Sequence, residues 1–395
     1  MVAEPIQTTL SIDKSGWKKI KLGDVVREVR ETAKDPVAEG LERVIGLEHL
    51  EPESLHIKAW GSIANATTFT KKFRKGQMLF GRRRAYLKKA ALATFDGICS
   101  GDITVLEAKS GLLPELLPFL IQNDKFFELA IKNSAGSLSP RAKFNDFADY
   151  EFLLPPKDQQ EQIAELLWAG DEALQSSNTA LCSLNEVRLA VRRNAVCDKA
   201  HQRVPLSEIL QGITAGRSLN GVNTPAENGN KGVLKVSAVG PNGFEPLENK
   251  LLDNGEEFLP RFKVNKDDLL ITRANTTELV GRVCLVEDDY PNLMLCDKTL
   301  RLDIKVQKAS KLFLLEALLS LETRAQIEGV ATGTGGAMKN ISQPEIMALK
   351  IPLPDYNTQL TIAEKIASVI ENRKAIIENI TQLSRLQKSL INQFF

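Results

Sequence analysis

Nine lysines and arginines and no acid fall within residues 71–89, KKFRKGQMLFGRRRAYLKK, with Phe73, Phe80 and Tyr86 interleaved. The 395-residue chain carries a net charge of only +1, so this run is a local field that the total conceals. Such a field suits a polyanion, and guanidinium forks match both phosphate oxygens and guanine edges. Lys71, Lys72, Arg74, Lys75, Arg82, Arg83, Arg84, Tyr86, Lys88 and Lys89 are the candidate contacts. A solvated hairpin with basic flanks would have the same composition. The second half carries a thinner version, Lys263, Lys266, Arg273 and Arg282, in which Arg273 matches Arg82 at the end of the same strand-like run. Loops further along add Arg141 and Lys143 in one half and Lys339 in the other. Two basic surfaces point to one nucleic acid read at two places.

Residues arranged for bond-making chemistry are hard to find. Gly333-Thr334-Gly335-Gly336 lacks the Lys-Ser/Thr of a phosphate loop, and no dinucleotide fingerprint leads from a strand into a helix. That stretch is expected to be a flexible or backbone-contacting loop. His49, His56 and His201 have no paired metal-ligand spacing and are expected on the surface or bonded locally. The acids form no nuclease-like or paired pattern, and the Asn-Pro-Pro-aromatic motif of an amino-methyltransferase is missing, Pro155-Pro156 following Leu154. The pattern favours binding over catalysis, with no cofactor and no metal.

The elements that position these residues occur twice. LLPPKDQQEQIAELL (153–167) and IPLPDYNTQLTIAEKI (351–366) each run from an apolar stretch through proline and glutamine into a helix. Proline is tolerated there because the amide it lacks would be unpaired in any case. Before each lies a short mixed α/β segment. Strands are predicted at 76–81, 90–95 and 103–106, then at 268–272, 280–286 and 300–304. Helical spacing covers 112–132, with a bend or a restart expected at Pro118, and 311–328. Lys75–Arg82 aligns with Lys266–Arg273, Ile98-Cys99 with Leu295-Cys296, and Ile163-Ala164 with Ile362-Ala363. Such matched order is the mark of a duplicated unit.

Each copy closes with roughly 40 proline-free residues, far beyond the usual helix of about 11–12. Ile163, Gly170, Ser177, Leu184 and Val191 recur every seven, as do Leu167, Leu174, Leu181, Arg188 and Ala195. The second helix repeats this with Ile362, Val369, Ile376, Leu383 and Leu390, and with Ile366, Arg373, Ile380, Gln387 and Phe394. These are coiled-coil seams, although two core helices of a bundle would show similar periodicity. Ile370, Ile377 and Ile391 widen the second stripe, a surface expected to face another protein. Gly170 and Ser177 correspond to Val369 and Ile376 of the other copy; the small residues are expected to make room for large ones across the seam, so Gly170→Leu is expected to crowd it.

The fold expected is therefore α+β. It comprises a leader at 1–16, an α/β domain at 17–156, a long helix at 157–200, a second domain at 201–354 and a second long helix at 355–395. The five cysteines form no CxxC pair, and Cys182 and Cys197 are expected on the first long helix, so a reducing cytosol is the simplest context. Residues 1–15 do not read as a signal peptide. The longest apolar run, 312–321, is interrupted by Glu316, whereas a membrane span needs about 20 residues. A soluble cytoplasmic protein is expected.

Taken with GWKKIKLGDV (16–25), KGQMLFGRRR, KDDLLITR and GICSGDITVL (97–106), the proline-glutamine helix starts resemble the specificity subunits of Type I restriction-modification systems. The resemblance spans nearly the whole chain. It implies two target-recognition domains, each reading half of an asymmetric bipartite site in double-stranded DNA. It further implies an antiparallel coiled coil that sets the gap and docks two methyltransferase subunits, a restriction-translocase subunit completing the complex, and no catalysis by this chain. Service to a different combined restriction-modification enzyme, or a scaffold whose basic patches bind RNA or an acidic protein, remains an alternative.

Overall fold

The computed structural model describes residues 12–65, 68–134, 140–227, 229–253, 257–305, 307–333 and 338–395. Most of the expected leader, residues 135–139 ahead of Arg141, and Thr334, Gly335 and Gly336 lie outside them. The chain forms two units, residues 1–178 with 378–395, and residues 179–377.

In the first unit, Lys18–Lys21 pairs antiparallel with Glu151–Leu154, so the start of the domain is tied to the strand that feeds the long helix. An antiparallel sheet runs in the order Val26–Val29, Ile103–Ala108, Met78–Gly81, Ala90–Leu92. A second sheet runs Gly61–Ser62, Arg43–Ile45, Gly97–Cys99, Lys71–Phe73, its two central strands being parallel. Strand side chains alternate between faces. Met78 and Phe80 accordingly join the cluster containing Phe126, Phe127 and Phe147, while Leu79 joins Ile45, Phe73, Cys99 and Val105. Phe80 meets the Phe147 ring edge-on at 5.1 Å. One four-residue strand thus serves two cores.

The second unit repeats this plan. Arg203–Pro205 pairs with Lys350–Pro352. Its main sheet runs Leu210–Ala215, Thr299–Ile304, Leu269–Thr272, Val283–Leu285, in the same order and sense. Its second sheet again has a parallel central pair, Gly232–Leu234 with Tyr290–Met294, plus an added edge strand, Gly221–Val222. Leu269 and Ile271 face one core and Leu270 the other.

Each expected helix before the proline turn is in fact two. Asn123 caps Asp124–Lys132 by accepting from Lys125 N and Phe126 N, and Ser320 caps Leu321–Val330 by accepting from Thr323 N. A capped start interrupts the spacing that suggested one helix. Pro118 lies in the first turn of Leu117–Ile121, where it restarts the helix, one of the two outcomes expected of it.

The long helices are Lys157–Val191 and Tyr356–Phe394. The first ends in a π-turn, Arg192–Val196, and does not reach residue 200, so Cys197 lies beyond it. They run antiparallel. In the first unit Ile163, Ala164 and Leu167 share a cluster with Leu390, Ile391 and Phe394, and Gln387 Nε2 donates to Leu167 O at 3.4 Å. In the second unit Val196, with Val191 beside it, joins Ile362 and Ile366. Between these ends Leu174, Leu181, Leu184, Ile376, Ile380 and Leu383 are half-buried, as befits two helices and not a bundle core; Val369 is buried.

Two expectations about the helices are not met as stated. A Cβ on Gly170 would meet nothing within 4 Å, so no neighbour presses directly on the glycine. Ile391 is buried in the first unit and Ile370 packs on the core of the second, so most of the widened stripe is covered by the chain itself. Ile377 stays 44% exposed.

Candidate nucleic-acid interface

The helix starts explain their glutamines. Gln160, 2% exposed, accepts from Leu113 N at 2.7 Å and donates to Gly111 O at 2.9 Å and Pro155 O at 3.0 Å. Gln359, 1% exposed, accepts from Ser310 N at 3.0 Å and donates to Pro354 O at 2.9 Å. Each buried amide, satisfied by backbone, pins a long helix to the loop ahead of its domain's helix pair.

The basic run does not form one patch. Lys71–Phe73 leads through a turn at Gly76, φ 90°, into Met78–Gly81, so its cations divide between opposite ends of the sheets. Arg74 and Lys75 lie at the turn end, where Arg74 pairs with Glu31 at 2.9 Å. Arg82, Arg83 and Arg84 leave at the other end, which Lys71 also borders. There Arg82 N donates to Asp102 O at 2.9 Å, Ala142 N donates to Arg82 O at 2.8 Å, and Arg83 bridges Arg141. Arg141 and Lys143, far away in sequence, thereby join Arg82–Arg84.

Many candidates are already engaged. Lys72 pairs with Glu39 at 2.7 Å, and Lys71 and Lys89 donate to Ile103 O and Leu47 O, each at 2.7 Å. Lys88 pairs with Asp124 at 2.6 Å, a hydrogen bond that raises its pKa. Asp102 takes Arg141 at 2.8 Å and Arg83 at 3.6 Å, and its bond to Arg141 raises that pKa as well. Arg84 and Tyr86 are exposed, on a turn in which Arg84 and Lys88 have left-handed backbone, φ 55° and 48°. Left-handed backbone is strained for such side chains and tends to occur at functional turns.

The same joint recurs in the second unit. Arg273 N donates to Lys298 O and Ile341 N to Arg273 O, both at 2.9 Å. Ala274–Asn275 pairs with Lys339–Asn340, and Lys339 Nζ donates to Gly333 O at 3.0 Å. Asn340 thus takes the place of Arg141, and Lys339 faces Asn275, two residues beyond Arg273. The second joint is less basic, because Arg83 and Arg84 correspond to Ala274 and Asn275.

His49 and His201 bond locally, the first accepting from Gly46 N at 2.9 Å and the second lying 2.9 Å from Ala195 O. His56 departs from the expectation. Its Nε2 lies 2.7 Å from Asp171 Oδ2, a buried carboxylate on the first long helix. Among the described residues no group of three or more His, Cys, Asp or Glu could hold a metal, all five cysteines are free, and no helix is long and apolar enough to cross a membrane.

Known proteins match this architecture. The Type I restriction modification DNA specificity domain family covers residues 14–184 and 201–384, and the chain belongs to it. The EcoEI specificity subunit of Escherichia coli is 31% identical over 185 residues, 47% of this chain and 30% of that protein. The chain thus aligns with less than a third of that relative's length. The MjaVIII specificity subunit of Methanocaldococcus jannaschii is 24% identical over 324 residues, 75% of this chain and 71% of that one. A Type-I restriction-modification S subunit from M. genitalium shares the fold at TM-score 0.62 and 13% identity, with 96% of each chain covered. A chain from a type I R-M system shares it at 0.55 and 19%, covering 96% of this chain and 97% of the other.

Proposed function

We propose that the chain is a DNA-specificity subunit whose two units each read half of an asymmetric bipartite site in duplex DNA. The observation that carries this is the repeated joint: Arg82 and Arg273 occupy the same strand exit, held by the same two backbone hydrogen bonds. Cations there neutralise phosphates and set position, while side chains of the neighbouring turns read base edges. The joints differ in charge and residue type, so the half-sites differ. The exposed faces of the paired helices, including Leu166, Val187, Leu189, Ile377 and Leu386, are offered to two methyltransferase subunits, with restriction subunits completing the complex. This chain supplies recognition and no chemistry.

Co-expression with the modification subunits and mapping of methylated positions in host DNA tests the proposal. Two short, dissimilar half-sites at a fixed gap are expected. A single contiguous or palindromic motif would overturn it.

A further inference from the structure

Beside the joint of the first unit lies a cleft of about 420 Å³, lined among others by Lys71, Arg82, Lys143, Thr32 and Asn145. Its two carboxylates are engaged, Glu28 by Arg30 at 2.8 Å and Glu31 by Arg74 at 2.9 Å. Lys71 spends a donor on Ile103 O, leaving the others of its ammonium. Arg82 is the exceptional member. Its backbone is fixed on both sides, yet its side-chain Nε is buried and has no hydrogen-bond partner among the described residues. A buried guanidinium donor without an acceptor is costly and uncommon in a folded protein. Burial also keeps that Nε out of reach of a group from solvent, so what Arg82 offers the cleft it lines is the charge of its guanidinium.

We propose that this cleft seats one phosphodiester group of the DNA backbone, with the Arg82 guanidinium as its central cation and Lys71 and Lys143 flanking it. The inference rests on the DNA-reading function above and divides labour within it. Arg82 anchors the strand without regard to sequence, while Arg84 and Tyr86, on the strained and exposed turn, face the bases. The anchor belongs to the first unit. Arg273, its counterpart, has no such orphaned donor among the described residues.

The test measures equilibrium binding of the assembled complex to two duplexes, one carrying the mapped site and one scrambled, across a salt series. Arg82→Gln should weaken both duplexes by the same factor and reduce the slope of log K against log salt by about 0.9, the value for one phosphate contact. Lys143→Gln, an exposed position tolerant of change, should move the slope in the same direction, and Arg82→Lys should restore part of it. Arg84→Gln should instead alter the ratio between the duplexes. A methylphosphonate walked along the mapped site should find one position whose neutralisation costs the wild type affinity and the Arg82→Gln complex none. An unchanged slope in both Arg82→Gln and Lys143→Gln, or no such position, would overturn the cleft. Lack of any salt-dependent duplex binding by the wild-type complex would instead overturn the DNA-reading function itself.

Discussion

In the second unit, Glu316 is fully buried and gripped by two arginines from the end of the first long helix, Arg188 at 2.8 Å and Arg192 at 2.7 Å. The corresponding residue of the first unit is Phe119, whose ring meets Trp168 edge-on at 5.0 Å. There the end of the second helix docks by other means. Asn392 accepts from Asn123 Nδ2 at 3.1 Å and from Asp124 N at 3.0 Å, Lys388 pairs with Glu53 at 3.0 Å, and Phe394 and Phe395 are buried. The duplication kept the sheet order, the glutamine pins and the position of the joint, but not the chemistry that fastens the helix end. A buried ion triad is weak evidence for stability, since desolvation offsets attraction, yet losing one side of it is severe. The first unit relies on apolar burial and partly solvated polar bonds, so a single loss there should cost less.

The largest effect should come from Arg188→Ala with Arg192→Ala. Glu316 would be left buried and uncompensated, costing about 3–5 kcal/mol in chemical denaturation. Asn392→Ala, which removes the acceptor for Asn123 and Asp124, should cost about 1–3 kcal/mol; equal losses would break the contrast. Gln160→Ala and Gln359→Ala probe what the units share. Each should cost about 1–3 kcal/mol, and by similar amounts, because each strands the same kinds of backbone groups. Gly170→Ala should raise stability by about 0.5–1 kcal/mol, since the added methyl meets nothing and helix propensity improves. The smallest effect concerns acid. The hydrogen bond to Lys388 holds the Glu53 carboxyl below the usual glutamate range. Its contribution is present at neutral pH and is lost as pH falls through that depressed value, below the ordinary figure of about 4.3. Melting of wild type and Glu53→Gln should therefore differ at pH 7 and converge in acid.

The duplication and its two long helices were legible in the sequence because they rest on local signals, while the antiparallel sense of the helices came only with the family resemblance. Strand alternation around Met78–Gly81 and Leu269–Thr272, the heptads and the proline-glutamine starts are all written within a few residues. What stayed hidden depends on partners far away in the chain. Nothing near Gln160 names Gly111 or Leu113 as its partners, and nothing near Asp171 names His56. The nine cations of 71–89 look uniform until the Gly76 turn sends Arg74 and Lys75 one way and Arg82–Arg84 the other. Carboxylates elsewhere then engage Lys72, Arg74 and Lys88. The clearance around a Cβ at Gly170 was not legible either, because a heptad position says which face a residue takes, not how much space lies opposite. Ile370 and Ile391 were assigned to a partner because the sequence did not show that the chain's own domains cover them.

Duplicating residues 174–180 in the first helix and 373–379 in the second, then mapping methylation by the complex, tests most directly whether the helices set the distance between half-sites. Seven helical residues span ~10.5 Å, about three base pairs at ~3.4 Å each. The mapped motif should keep both half-sites and widen its gap by about 3 bp. Methylation at the original spacing would contradict the account.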